Sequence, residues 1–252
     1  MNLKLKKSTK ILVLAMAIFC AVSLALSNPL SAAVANSKLK PIYCVKTEQK
    51  KVSLTFDAAW GSDKTLAILD ILDEYNVKAT FFLVGFWIRA NPELVREIAR
   101  RGHEIGTHSM THPEMSRLSY EKMLEELTES AKMITDLTGD KVEVFRPPFG
   151  DYNNELIRAC EAAHLFAIQW DVDSLDWKGL NASQIAVRCQ KASEGSIILF
   201  HNNSDHIVQA LPVVIVALMT KGLGFAPVGE LIYRSDYVID NSGRQVSVKP
   251  KT

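Results

Sequence analysis

An α/β fold of parallel strands and crossover helices is what this sequence predicts, with a barrel preferred to an open sheet. Three observations lead there. Short apolar, β-rich runs alternate with helix-patterned segments over about 180 residues, the order parallel strands require because each is reached by a crossover. No Gly-x-Gly-x-x-Gly turn or Gly-x-x-x-x-Gly-Lys loop follows a strand, which removes the main argument for a nucleotide-binding sheet. The reactive side chains, finally, gather at the C-terminal ends of different strands, the face on which barrels build their sites.

Taken in order, the first residues stand apart from the rest. Lys4, Lys6, Lys7 and Lys10 precede an apolar run from Ile11 to Leu26, and small residues follow in Ser31-Ala-Ala-Val-Ala35. Basic, then apolar, then small is the order of an export signal. Residues 1–35 are therefore either a signal peptide, cut after Ala33-Val-Ala35, or an N-terminal membrane anchor whose single span is residues 11–26. The location expected is outside the cytoplasmic membrane: secreted, in the cell wall, or anchored to the outer side. Cys20 follows bulky Ile18 and Phe19, so it reads as an apolar residue of that run and not as a lipidation site.

Residues 36–50 are short, polar and basic, and read as a linker to a folded domain at 51–232. Strands are expected at Val52–Phe56, Ala79–Val84, Glu104–Thr107, Val144–Arg146, Phe166–Val172, Ser196–Phe200 and Phe225–Val228, from their apolar and β-branched content between turn residues. Helices fall between them. Asn91 caps one that begins at Pro92 and runs through Arg100, with Gly102 beyond its end. Ser119 opens another, with Met123, Leu127, Ile134 and Leu137 on one face and Gly139 as its stop. Asn181 and Gln184 form a capping box before Ile185. His206 to Lys221 is apolar enough to be a buried helix, which Pro212 should begin or kink and Gly222 should stop. Residues 233–252 are a polar tail without a core pattern.

Of the 252 residues 48% are apolar, enough for a sizeable core, and 29 basic against 28 acidic residues leave a formal charge of +1. No global field draws such a chain to nucleic acid. An export segment and the missing phosphate loops also disfavour an intracellular sugar-phosphate or nucleotide enzyme. Cys44, Cys160 and Cys189 are odd in number and lack a C-x-x-C spacing, so core packing is expected in place of a disulfide framework.

Asp57 ends the first strand, His108 and His112 follow the third, Arg146 ends the fourth, Asp171, Asp173 and Asp176 follow the fifth, and His201 ends the sixth. His108 and His112 are spaced so that one helical turn would project both imidazoles from the same side, a metal-ligand spacing. Surface histidines share that spacing. Arg146 with Asp57 also reads as a structural ion pair, and His201 as a satisfied barrel-end histidine. Trp60 reads as rim packing, His103 and His164 as helix-end residues, and His206 as a weak cleft candidate.

Together these segments resemble a known family. Leu54-Thr-Phe-Asp57, Ala79-Thr-Phe-Phe-Leu-Val-Gly85, Gly102-His-Glu-Ile-Gly-Thr-His-Ser-Met-Thr-His-Pro113, Arg146-Pro-Pro-Phe-Gly150, Asp173-Ser-Leu-Asp-Trp177 and Leu199-Phe-His201 are similar, in order and spacing, to the motifs of polysaccharide deacetylases. These are the NodB-homology enzymes of carbohydrate esterase family 4. The resemblance implies a distorted (β/α) barrel of about seven parallel strands and removal of N-acetyl groups from polymers such as peptidoglycan or chitin by metal-assisted attack of water. It implies His108 and His112 as metal ligands, Asp57 as base, His201 as acid, Arg146 orienting Asp57, and Asp176 holding His201 charged. Trp177, Leu199, Pro148 and Phe149 would contact substrate. A divalent metal such as Zn, Co or Mn and an N-acetylated wall glycan are the implied cofactor and partner.

One departure matters. Ala58 stands where the family usually carries the carboxylate that completes a metal triad with the two histidines. Three outcomes stay open: metal held by two imidazoles and water, Asp63 or another carboxylate swinging in, or a glycan-binding relic with an empty site. The Asp57-Ala-Ala-Trp-Gly61 run resembles the sporulation PdaB-like subgroup, which points to spore-cortex peptidoglycan.

Overall fold

The computed structural model describes residues 38–248, so the export segment and its boundary at residue 35 lie outside the described residues. In chain order the elements are β1 (Cys44–Lys46), β2 (Lys51–Ala58), α1 (Thr65–Glu74), β3 (Thr80–Leu83), α2 (Gly85–Ala90), α3 (Pro92–Arg100), β4 (Glu104–Thr107), α4 (Tyr120–Thr138), β5 (Val144–Phe145), α5 (Asn154–Ala162), β6 (Phe166–Ala167), β7 (Val172–Asp173), α6 (Ala182–Cys189), β8 (Ile197–His201), α7 (Ile207–Thr220), β9 (Gly224–Phe225), α8 (Val228–Leu231), β10 (Tyr237–Ile239) and β11 (Arg244–Ser247). Short 3-10 turns occupy Met115–Arg117, Pro148–Gly150 and Asp176–Lys178.

Seven parallel strands form the main sheet in the order β6-β5-β4-β3-β2-β8-β7, and β9 pairs with the start of β2. This is the curled, distorted (β/α) barrel the sequence implies. Its two edges belong to one stretch of chain. Phe166 and Ala167 pair with β5, and five residues later Val172 and Asp173 pair with β8. The run read as a single strand is thus two short ones, because it crosses from one side of the barrel seam to the other. Ile42 fills the gap between them: its N–H donates to Ala167 O (2.8 Å), and its carbonyl accepts from Gln169 N (2.7 Å).

That placement corrects the linker. Ile42 and Val45 are each 2% exposed and belong to a core cluster with Phe82, Val144, Ile168 and Ile197. The polar tail needs the same correction, since β10 and β11 join β1 in a three-stranded sheet with β1 parallel to β11. Gln245 is fully buried and exchanges hydrogen bonds with both backbone groups of Tyr233. Polar composition hid it, because the amide is satisfied by main chain instead of water.

Local chemistry places the helices well. Ser119 caps α4 by accepting from Lys122 N (3.3 Å), and Gly139 stops it at φ 78°. Asn181 and Gln184 make the reciprocal capping box of α6. Asn91 differs: its Nδ2 donates backward to Trp87 O (2.9 Å). The unexpected helix α2 ends there, and its orphan carbonyls compete for the amide. Pro212 lies inside α7, which runs on to Thr220. The strand expected at Phe225–Val228 is only Gly224–Phe225, because Val228 already begins α8. Cys44, Cys160 and Cys189 are free and buried. Among the described residues no helix is long and apolar enough to cross a membrane.

Candidate active site

Alternation along β2 sends Thr55 and Asp57 to one side of the sheet and Phe56 to the other, where its ring stacks on Phe81 and Phe200 at 4.9 and 5.5 Å. Parallel register then sets Asp57 level with His201 on β8 and Phe82 on β3. Asp173 is level with Leu199, and Thr107, just before His108, with Phe145, just before Arg146. The C-terminal strand ends therefore present their side chains to one cavity of about 470 Å³. Asp57, His108, His112, Phe149, Asp173, Trp177, Leu199 and His201 all line it.

Arg146 is fully buried beneath. Its Nη1 donates to Asp57 Oδ1 (2.7 Å) and Thr55 Oγ1 (2.8 Å), and Nη2 donates to Gln169 O (3.1 Å). The guanidinium lies 4.2 Å from the centre of the Phe82 ring, while Nε has no partner. Burial pushes the Asp57 carboxyl up, but the Arg146 charge, helped by His201, outweighs it and holds the group below the usual carboxylate range. Asp57 is an ionised base with one oxygen engaged.

Across from it, His201 Nδ1 meets Asp176 Oδ1 at 2.8 Å, and His201 N donates to Asp176 Oδ2 at the same distance. Burial opposes the imidazolium, yet the Asp176 hydrogen bond and charge win, and His201 titrates above its ordinary value. With Nδ1 bound to a carboxylate, Nε2 is left to hold a proton toward the cavity.

His108 Nδ1 is 2.7 Å from the Arg146 carbonyl. A carbonyl only accepts, so Nδ1 carries the proton and Nε2 is a bare acceptor, 3.6 Å from Asp57 Oδ2. Burial keeps both imidazoles neutral: it lowers His108, and it lowers His112 to about 4. The expected helical turn is absent. His112 sits at φ 60° and Ser109 at φ 70° in an irregular loop, and the two rings are 5.0 Å apart and nearly perpendicular.

A residue the sequence reading passed over shapes that loop. Glu126 on α4 is 2% exposed, and its carboxylate accepts from Met110 N (2.8 Å), Thr111 N (2.8 Å) and Thr111 Oγ1 (2.7 Å). A carboxylate beside Leu127 on the apolar helix face was the available signal.

The donor set for a metal ends at two imidazoles. Ala58 is 1% exposed and offers only a methyl group, and Asp63 is exposed, 3.7 Å from Lys64 Nζ, and outside the cavity lining. Among the described residues no group of three His, Cys, Asp or Glu side chains is arranged to hold a metal ion. The residues present do not fit the three-ligand site implied for the family.

Other placements need correction. Pro148 is buried and off the cavity, where Pro147 takes its place, because the 3-10 turn at Pro148–Gly150 rolls Phe149 outward to 67% exposure at φ 58°. Asp171 belongs to the opposite end of the barrel: it accepts from Ile197 N and Ser196 Oγ at the start of β8. His206 does not line the cavity. His103 is buried, accepting from Ala79 N (3.3 Å) with its ring edge-on to Phe81, and burial lowers it to about 4; His164 is exposed. Trp60 does more than pack the rim, lining the cavity with Trp170 and Asn203. Nothing in the run Phe166–Val172 distinguished Trp170 from a core residue.

Comparison with known proteins agrees with this geometry. Residues 45–167 match the polysaccharide deacetylase family. The chain is 34% identical over 194 residues to the uncharacterised protein YlxY of Bacillus subtilis, covering 77% of this chain and 60% of that protein. It is 33% identical over 190 residues to a peptidoglycan-N-acetylglucosamine deacetylase of Bacillus cereus, covering 73% and 69%. Among solved structures, a CE4 family pseudoenzyme from Bacillus anthracis superposes with a TM-score of 0.73 at 34% identity, covering 76% of this chain and 68% of that one. A mutant of that pseudoenzyme is described as having restored enzymatic activity. With the barrel, the order of strand-end residues and most of the length of a curated deacetylase in common, the chain belongs to the polysaccharide deacetylase family.

Proposed function

We propose that this chain is an exported hydrolase that removes N-acetyl groups from cell-wall polysaccharide, with peptidoglycan, and within it the spore cortex, as its substrate. The observation carrying this is that Asp57 and His201, register partners on adjacent strands, face one cavity, the first bound to Arg146 and the second to Asp176. Amide hydrolysis needs a base for the attacking water and an acid for the leaving amine. Asp57 accepts the water's proton while Arg146 fixes its orientation. His201, kept cationic by Asp176, protonates the departing nitrogen. Leu199 and Trp177 supply the apolar wall against which an acetyl methyl packs.

Purified protein, freed of metal and resupplied in turn with Zn, Co and Mn, is expected to release acetate from peptidoglycan or chitooligosaccharides, and Asp57→Asn to stop the release. No acetate from well-folded protein under any of these conditions would sink the proposal. The buried methyl of Ala58 favours a second reading, a wall-binding protein that keeps the barrel and its groove without turnover. Retention on insoluble peptidoglycan that survives mutation of His108, His112 and Asp57, with no acetate released either before or after those changes, is its signature.

A further inference from the structure

Trp60 ends the turn after β2 and is 59% exposed, although it borders the same cavity as Asp57 and His201. Leaving a large aromatic surface in water is unfavourable, and here the turn holds it there firmly. The next carbonyl, Gly61 O, accepts from Trp87 Nε1 (2.7 Å) and Asn202 Nδ2 (3.0 Å). Gly61 itself sits at φ 68°, and a Cβ there would lie 3.0 Å from Asn203 Cβ. The turn and Asn203 are therefore pressed together on one side of the cavity mouth. Asn203 is exposed. Its backbone oxygen takes the Lys64 ammonium (3.1 Å), and among the described residues nothing pairs with its side-chain amide. Phe86, 37% exposed, extends the aromatic surface outward, its ring centre 6.2 Å from that of Trp60.

We propose that Trp60 and Asn203 form a subsite for the sugar ring adjoining the one held in the cavity. The inference rests on reading the cavity as a glycan site. A β-linked pyranose presents an apolar face of axial C–H bonds and a polar edge of hydroxyl and acetamide groups. An exposed aromatic ring removes the face from water, and a free primary amide both donates to and accepts from the edge. Continuity with the cavity fixes the occupant as the next residue of the same polymer, and the pinned turn means little order is lost on binding.

The test uses the full chain carrying Asp57→Asn, so that nothing turns over, and compares N-acetylglucosamine with its β-1,4 tetramer by NMR titration. Trp60→Ala is expected to weaken tetramer binding about tenfold and the monomer by much less, with Trp60→Phe retaining most of the affinity. Asn203→Ala is expected to move the tetramer in the same direction. Tetramer binding unchanged by Trp60→Ala, equal losses for monomer and tetramer, or no tetramer binding by the parent each overturns the subsite. Acetate release, read on the full chain with Asp57 intact, separates the two ideas. Trp60-dependent binding without acetate defeats the deacetylase alone, whereas acetate release with binding indifferent to Trp60 defeats the subsite alone.

Discussion

Arg146 holds a charge at zero exposure, and Asp57 is the anion that balances it. Removing one partner of a buried pair strands the other, so Arg146→Met is expected to cost roughly 3–5 kcal/mol, measured by denaturant unfolding, and to raise the Asp57 pKa. The pH dependence follows from two opposite shifts. Asp57 lies below the ordinary carboxylate value of 3.8, so its contribution to stability and to rate is present above 3.8 and disappears as pH falls through the lowered value. His201 lies above 6.5, so its contribution is complete below 6.5 and is lost as pH rises through the elevated value. A plateau in kcat/KM between those limits is expected. Asp176→Asn should bring the alkaline limb down, and a limb that stays in place would remove His201 from the reaction. Ala58→Asp adds the missing anionic ligand and is expected to tighten Zn binding more than about tenfold by calorimetry.

At the scale of elements, what the sequence made legible was what neighbours in the chain decide. Ser119 with Gly139, and Asn181 with Gln184, mark helix ends because a cap and the groups it satisfies lie within one turn. Asn181→Ala is expected to cost about 1 kcal/mol, read from the thermal midpoint. The loop carrying His112 was illegible because its shape is imposed from α4. Glu126→Ala leaves the Met110 and Thr111 N–H groups without their acceptor, at about 1–3 kcal/mol each. Faster amide exchange confined to residues 109–112 would locate that effect in the loop, and unchanged exchange there would deny Glu126 its bracing role. The strand-end residues of the site were readable for a different reason: parallel register turns sequence position into depth, so Asp57 and His201 arrive as partners, and His108 and Arg146 each follow a paired strand position by one residue.

Over the whole molecule, the misread segments are those whose partners are remote. β1 is three residues long, and its meaning comes from β11 near the other end of the chain; Ile42 looks like part of a polar spacer until Ile168 is beside it. Truncation after Tyr233 removes β10 and β11 and uncovers Val45 and Ile42, so a lower and broader thermal transition is expected by calorimetry. An unchanged transition would make the tail dispensable. The seam filled by Ile42 also sets an order of events. Its contacts join segments much further apart in the chain than the β2–β3 pairing does, so their loop-closure cost falls due after that pairing has formed. The barrel's zipper thus closes after β2 and β3 have met and opens before they part, and hydrogen exchange at the Ile42 and Gln169 amides should outpace that of β2 and β3 when the native state breathes.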